Sequence, residues 1–303
     1  MVDAAGEPRA WSGPIEHRYD ERRLSVDSMS EQQPRIEIDE ALDQGWFEIW
    51  YQPKIDLRRK CLAGAEALAR LRHPTLGVMP PGTFRPGIGE GSIARLTEYA
   101  LVATLRNWRA FDDAGFNLSL AINVPVSVLL TLPIPALVEQ YRPKSEAWPG
   151  IILEVTEDQI VRDLRLAHSI GTDLHVSGIK IAIDGFGAGY SSLSSLRELP
   201  FSELKIDRSF VRDCATDATN AALCQTAIDL AHRFGSAAVA DGVERQADLQ
   251  TLIAMGCDFG QGPVIAPSMP HEEFLSLLLQ RVSKGRSPTA HPSEPGAAID
   301  RVA

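Results

Sequence analysis

Eight short apolar runs recur along this chain, most followed by a segment of helical period, and that rhythm restricts the fold more than any other feature. The runs are F-E-I-W-Y-Q-P (47–53), L-A-G-A-E-A-L (62–68), L-S-L-A-I-N-V (118–124), I-I-L-E-V-T (151–156), I-K-I-A-I-D (179–184), L-K-I-D (204–207), A-A-V-A-D (237–241) and the weaker D-F-G-Q-G (258–262). Strands that alternate with helices form a parallel sheet, because each parallel pair needs a long crossover. Eight such units within roughly 250 residues point to closure into a (β/α)8 barrel. The first pair differs, since only Asp56 to Lys60 separates the two strand cores. That is too short for a crossover, so these strands read as an antiparallel hairpin.

Between the runs, Leu101, Leu105 and Trp108 recur at i, i+4 and i+7. Leu223, Ala227, Leu230 and Phe234 repeat the pattern ahead of Gly235, a residue suited to end a helix in the left-handed conformation. Ile160, Leu164, Ala167 and Leu174 mark another helix, and Leu249, Leu252 and Met255 a further one before Gly256. Residues 1–34 are polar with mixed charge, and 283–303 are rich in Ser, Pro and Gly, so both read as disordered tails around one domain at 35–282.

Composition narrows the function. A net charge of -10 disfavours nonspecific nucleic-acid binding, which needs a basic surface, although local cations can still receive an anionic ligand. The longest near-apolar stretch, Val124 to Val138, is interrupted by Ser127, Thr131 and two prolines, so no membrane span is expected. The first thirty residues lack the apolar core of a signal peptide, which leads us to expect a cytoplasmic protein. Cys61, Cys214, Cys224 and Cys257 form no C-x-x-C pair and read as buried, reduced side chains.

The stretch D-G-F-G-A-G-Y (184–190) follows a strand, yet it is no dinucleotide fingerprint: Tyr190 stands where G-x-G-x-x-G needs its third glycine. Asp184 opens the loop, and a carboxylate beside a phosphate calls for a cation between them. Other strands also end in polar residues, namely Asn123, Glu154, Lys205, Asp241 and Gln261, with Glu66 in the second run. In a barrel these ends converge on the face where active sites are built. Buried carboxylates need neutralising, and hard oxygen donors suit magnesium or manganese better than zinc. Lys205 fits two roles, a salt-bridge partner for these acids or a donor that holds an attacking water.

Y-Q-P (51–53), E-A-L-A-R (66–70), N-V-P (123–125), E-V-T-E (154–157), D-G-F-G-A-G-Y-S-S-L (184–193), K-I-D-R-S-F-V (205–211), A-D-G-V-E (240–244) and Q-G (261–262) together resemble the EAL-domain family of bacterial cyclic di-GMP phosphodiesterases. The resemblance implies an α/β fold, a modified TIM (β/α)8 barrel with an antiparallel first strand. It also implies hydrolysis of cyclic di-GMP to pGpG with two magnesium or manganese ions. By resemblance, Glu66, Asn123, Glu154 and Asp184 would be metal ligands. Lys205 would position the nucleophilic water, Gln261 would orient a metal-bound water, and Asp241 would stand at a catalytic carboxylate position. Glu157 would brace the glycine-rich loop. Gln52, Arg70 and Glu244 would contact substrate, Arg70 at a phosphate and Glu244 at a guanine edge. Relatives pair through the region after the glycine-rich loop, which implies a homodimer; with no sensor module visible, regulation would otherwise fall to a protein partner.

Two departures matter. The family reads D-D-F-G, and its second aspartate, a ligand of the second metal, is Gly185 here. The family's A-E-G-V-E is A-D-G-V-E, which sets the Asp241 carboxylate back by one methylene, about 1.5 Å. A displacement near 1 Å can cost on the order of a hundredfold in rate. Smaller departures are Arg85, the shortened segment 87–93, Pro125 and Pro263. One metal site is expected to persist, while the second lacks a ligand unless Asp207 or a water replaces it. The expectation is therefore an EAL-type phosphodiesterase with hydrolysis reduced or lost. Its alternatives are a catalytically silent cyclic di-GMP receptor and a degenerate protein-interaction module.

Overall fold

Barrel closure depends on the hairpin anticipated between the first two strands. In a computed structural model describing residues 36–81, 89–157, 177–187 and 200–285, β1 (Phe47–Asp56) pairs antiparallel with β2 (Cys61–His73) along its whole length. From β2 the sheet continues in parallel through β4 (Ser119–Asn123), β5 (Ile151–Thr156), β6 (Ile179–Phe186), β7 (Glu203–Ile206), β8 (Ala237–Ala240) and β9 (Phe259–Gly260). The other edge of β1 then pairs antiparallel with β9, which completes an eight-strand mixed barrel. Two short antiparallel additions were not evident from the sequence. They are β3 (Gly77–Met79) on β2 and β10 (Met269–Pro270) on β1.

The outer face of the sheet carries Leu120, Ile122, Leu153, Val155, Ile181, Ile183, Leu204 and Ile206, all buried in the main core with the helices. Helix α2 (Glu90–Asp113), which follows the short α1 (Ile38–Asp43), buries the expected stripe of Leu101, Leu105 and Trp108 and adds Phe111. The Trp108 indole N–H donates to the Leu118 carbonyl at 2.8 Å, which fixes the helix against the entry to β4. Short helices α3 (Val126–Thr131) and α4 (Ile134–Tyr141) lead on to β5.

After β7 come α5 (Arg208–Val211) and α6 (Ala218–Arg233), and the face that α6 buries corrects the sequence reading. Cys224, Ala227, Ile228 and Ala231 are buried, whereas Leu223 and Phe234 are each 37% exposed. The buried face is thus rotated from the expected stripe, which keeps Ala227 buried and Leu230 packed against the core while Leu223 and Phe234 turn partly outward. Gly235 does follow the helix at φ +72, and Gly256 likewise follows α7 (Gln246–Ala254) at φ +84. The last helix, α8 (His271–Gly285), runs past the expected domain end at 282, anchored by buried Phe274, Leu277 and Leu278.

All four cysteines are buried and unbonded, and burial pushes the Cys224 and Cys257 thiols up to about 12. Among the described residues no helix is long and apolar enough to cross a membrane. The expected helix through Ile160 and Leu174, residues 1–34, Arg85 and the part of the glycine-rich loop holding Gly189 and Tyr190 lie outside the described residues. So does the tail beyond Gly285.

Candidate functional site

Because side chains alternate along a strand, the residues that do not face the helices point into the barrel. Ala121, Ile152 and Ala182 form a small cluster there, separate from the main core. Two residues further along the same strands, Asn123, Glu154 and Asp184 reach the carboxyl-end mouth. Glu66 and Gln52 face each other across the β1–β2 register at the same end. Lys205 projects inward from β7, while Asp241 and Gln261 lie just past the ends of β8 and β9. Residues 66 to 261 in sequence thus converge through strand geometry alone.

Lys205 is the hub, only 1% exposed. Its Nζ lies 2.5 Å from Glu154 Oε2, 3.0 Å from Glu66 Oε2 and 3.3 Å from Asp184 Oδ1. Asn123 Nδ2 donates to Glu66 Oε1 at 2.7 Å. Gln261 Nε2 donates to Glu66 Oε2 at 2.6 Å and to Asp241 Oδ1 at 2.8 Å. The same Asp241 oxygen accepts from the Gly242 N–H at 2.8 Å, so this shorter acid folds back on its own turn.

Four carboxylates around one ammonium leave an excess of buried negative charge, and the protonation equilibria reflect it. Burial alone would raise the Glu66 carboxyl, but Lys205, Gln261 and Asn123 outweigh it and hold the group at about 2. Burial and the neighbouring Glu66 charge push Glu154 well above the carboxylate range despite Lys205. Burial likewise raises Asp241, with Lys205 opposing. Burial would lower Lys205, yet Glu154, Glu66, Asp184 and Asp241 together hold it well above its usual value. A cationic Lys205 is secured by the acids, and the acids still lack full compensation.

A hard divalent cation suits this donor set. The oxygens of Glu66, Asn123, Glu154 and Asp184 could hold it, and oxygen-only donors favour magnesium or manganese. The buried Gln261 Oε1 has no hydrogen-bond partner. An acceptor left that way is costly and is available to accept a hydrogen bond from a group entering the mouth. Among the described residues no three His, Cys, Asp or Glu side chains enclose a cation in this conformation. The Lys205 ammonium stands between the acids instead.

The glycine-rich loop begins at Gly185, which adopts φ +69. A Cβ built there would meet only Asp207 Oδ2, at 3.9 Å. Asp207 caps α5 through its other oxygen, which accepts from Ser209 N at 2.8 Å and Ser209 Oγ at 2.6 Å. Two residues on, the Gly187 N–H donates to Glu157 Oε2 at 2.8 Å. A Cβ at Gly187 would fall 1.9 Å from a Phe210 ring carbon, so any side chain there would have to displace that ring.

Not every candidate joins the central network. Glu244 is half-exposed and pairs with Arg212 at 3.1 Å. Arg70 lies at the rim, its Nη2 donating to Ser268 Oγ at 3.1 Å. Asp207 and Glu157 serve the loop beside the network. Sequence reasoning missed a buried pair deeper in the barrel, where Lys54 Nζ lies 2.6 Å from both oxygens of Glu203 and 5.5 Å from the Phe259 ring centroid. Period-two spacing from Gln52 and from Lys205 was the available signal.

Residues 35–268 match the family described as EAL domain. The cyclic di-GMP phosphodiesterase RocR of Pseudomonas aeruginosa is 34% identical over 267 residues, covering 85% of this chain and 67% of RocR. The signaling protein YkoW of Bacillus subtilis is 32% identical over 248 residues, 81% of this chain but 31% of its own length. This chain therefore spans less than a third of YkoW. Among solved structures, a PaMucR phosphodiesterase in complex with c-di-GMP superposes with a TM-score of 0.71 at 32% identity, covering 78% of this chain and 97% of that one.

Proposed function

Since the chain belongs to the EAL domain family, we propose that it binds cyclic di-GMP across the barrel mouth and that its hydrolysis of the dinucleotide to pGpG is reduced or lost. The observation that carries this reading is the Lys205 ammonium set among Glu66, Glu154 and Asp184 at the mouth. Magnesium or manganese, held by Glu66, Asn123, Glu154 and Asp184, would supply positive charge at the phosphate and acidify a water.

The chain's own groups supply the remainder. Lys205 donates toward the attacking water and keeps it in line with the phosphorus, and Gln261 offers its free carbonyl oxygen to the same region. Arg70 meets a phosphate, Glu244 a guanine edge, and Gln52 contacts the substrate. Glu157 holds the glycine-rich loop through Gly187. Hydrolysis suffers because Gly185 brings no carboxylate and Asp241 is drawn back to Gly242 and Gln261. Asp207 offers the nearest substitute oxygen, from a side chain already committed to capping α5. The limiting case, a silent cyclic di-GMP receptor, is favoured by the same Gly185 observation.

A cytoplasmic location and assembly as a homodimer or with a regulatory protein go with this reading; light scattering of the purified chain measures the oligomer. Calorimetry with cyclic di-GMP and manganese, with chromatography of the products, tests the function itself. Saturable binding with little pGpG in the wild type, weakened at least tenfold by Glu66→Ala, is expected. Absence of binding would overturn the proposal and favour a protein-interaction module.

A further inference from the structure

Arg70 reaches its place by crossing an aromatic ring that the sequence did not single out. The antiparallel register sets Glu48 opposite Arg70, Trp50 opposite Leu68 and Gln52 opposite Glu66, so Glu48, Trp50 and Gln52 share the mouth-facing side with Glu66 and Arg70. The Arg70 Cζ lies 5.7 Å from the Trp50 ring centroid. Its Nη2 donates to Ser268 Oγ at 3.1 Å, and its Nη1 donates to the Ala69 carbonyl at 3.2 Å. Ser268 immediately precedes β10, which pairs with the far edge of β1 at Trp50 and Tyr51. Arg70 therefore passes over the indole to reach it.

The ring is itself held. Trp50 Nε1 donates to Glu48 Oε1 at 2.6 Å, and Glu48 receives the guanidinium fork of Arg72, Nε at 2.8 Å and Nη2 at 2.7 Å. Glu48 is also the register partner of Arg70 and would compete for its charge. Arg72 engages that carboxylate through two of its nitrogens.

We propose that Trp50 is a positioning residue that holds the Arg70 guanidinium at the rim of the mouth, placed for a phosphate of the dinucleotide. The proposal rests on the reading of Arg70 as a phosphate contact. A cation–π contact engages the charge of a guanidinium without consuming an N–H donor, and guanidinium N–H groups match phosphate geometry.

The test compares the full-length wild type with Trp50→Leu, Trp50→Phe, Arg70→Ala and the Trp50→Leu/Arg70→Ala double variant. Cyclic di-GMP affinity with manganese is one readout; the order parameter of the Arg70 Nε–H by nitrogen-15 relaxation, without ligand, is the other. Trp50→Leu is expected to weaken binding about threefold to thirtyfold, the range of a cation–π contact, and to lower the Arg70 order parameter. Trp50→Phe should retain both, and Trp50→Leu should add nearly nothing once Arg70 is Ala. Equal losses in the two backgrounds, or an Arg70 order parameter indifferent to Trp50→Leu, would overturn the inference. If the wild type binds no cyclic di-GMP, the functional reading falls and the order parameter alone decides the role of Trp50.

Discussion

Placing a carboxylate at position 185 perturbs the site where the family resemblance implies a missing acid. In Gly185→Asp the backbone must keep φ +69, a region that costs an ordinary L-residue about 1–2 kcal/mol and is more accessible to Asp. The added Cβ itself meets no described atom closer than Asp207 Oδ2, at 3.9 Å. The new acid instead faces an existing one. The new carboxylate extends beyond that Cβ, and two like charges about 4–6 Å apart repel by roughly 1 kcal/mol in water and roughly 3–4 kcal/mol at an effective dielectric of 20. Both residues are half-buried, so the lower part of that range applies. Together the terms destabilise the variant by about 2–4 kcal/mol in chelator, a fall of roughly 5–15 °C in Tm for a domain of this size. Manganese should reverse the sign of the repulsion. Thermal unfolding followed by circular dichroism, with EDTA and then with millimolar manganese, reads both effects. A variant as stable as wild type in EDTA, or a manganese shift equal in the two proteins, would refute the reasoning.

Lys205→Met leaves Glu66, Glu154 and Asp184 without their ammonium and should cost about 3–5 kcal/mol in urea unfolding; an unchanged urea midpoint would contradict the charge balance drawn here. Lys54→Met strands the buried Glu203 carboxylate with a similar loss of about 3–5 kcal/mol, while the paired change Lys54→Met with Glu203→Leu should recover most of it. If the double variant were no more stable than the single one, burial of an unpaired charge would not be the cause. Glu157→Ala removes the acceptor for the Gly187 N–H, and hydrogen exchange at Gly187 should accelerate at least tenfold; unaltered exchange would mean that the brace is not what holds the loop.

Much of this architecture is legible without coordinates because it rests on local rules. The five-residue gap at Asp56 to Lys60 dictates a hairpin, and that hairpin sets β1 antiparallel to β2 and, where the barrel closes, to β9. Polar residues at strand ends predict convergence, and Glu66, Glu154, Asp184, Lys205, Asp241 and Gln261 do meet. What the sequence could not convey depends on partners far along the chain. Strands β3 and β10 are too short to carry a periodic signal and exist through their pairing with β2 and β1. The stripe read on α6 is rotated relative to the buried one: Ala227 is buried and Leu230 packs against the core, but Leu223 and Phe234 give way to Cys224, Ile228 and Ala231. The Lys54–Glu203 pair joins residues 149 positions apart. Trp50 gained meaning only when the β1–β2 register set it beneath Arg70.

The central claim is that an otherwise assembled cyclic di-GMP site has lost hydrolytic power at Gly185 and Asp241. The most direct measurement is the rate of pGpG release under single-turnover conditions with manganese, in the wild type and in Gly185→Asp combined with Asp241→Glu. The account predicts saturable binding in both, slow or undetectable release by the wild type, and release at least tenfold faster in the double variant. Brisk wild-type release that the two substitutions leave unchanged would contradict it.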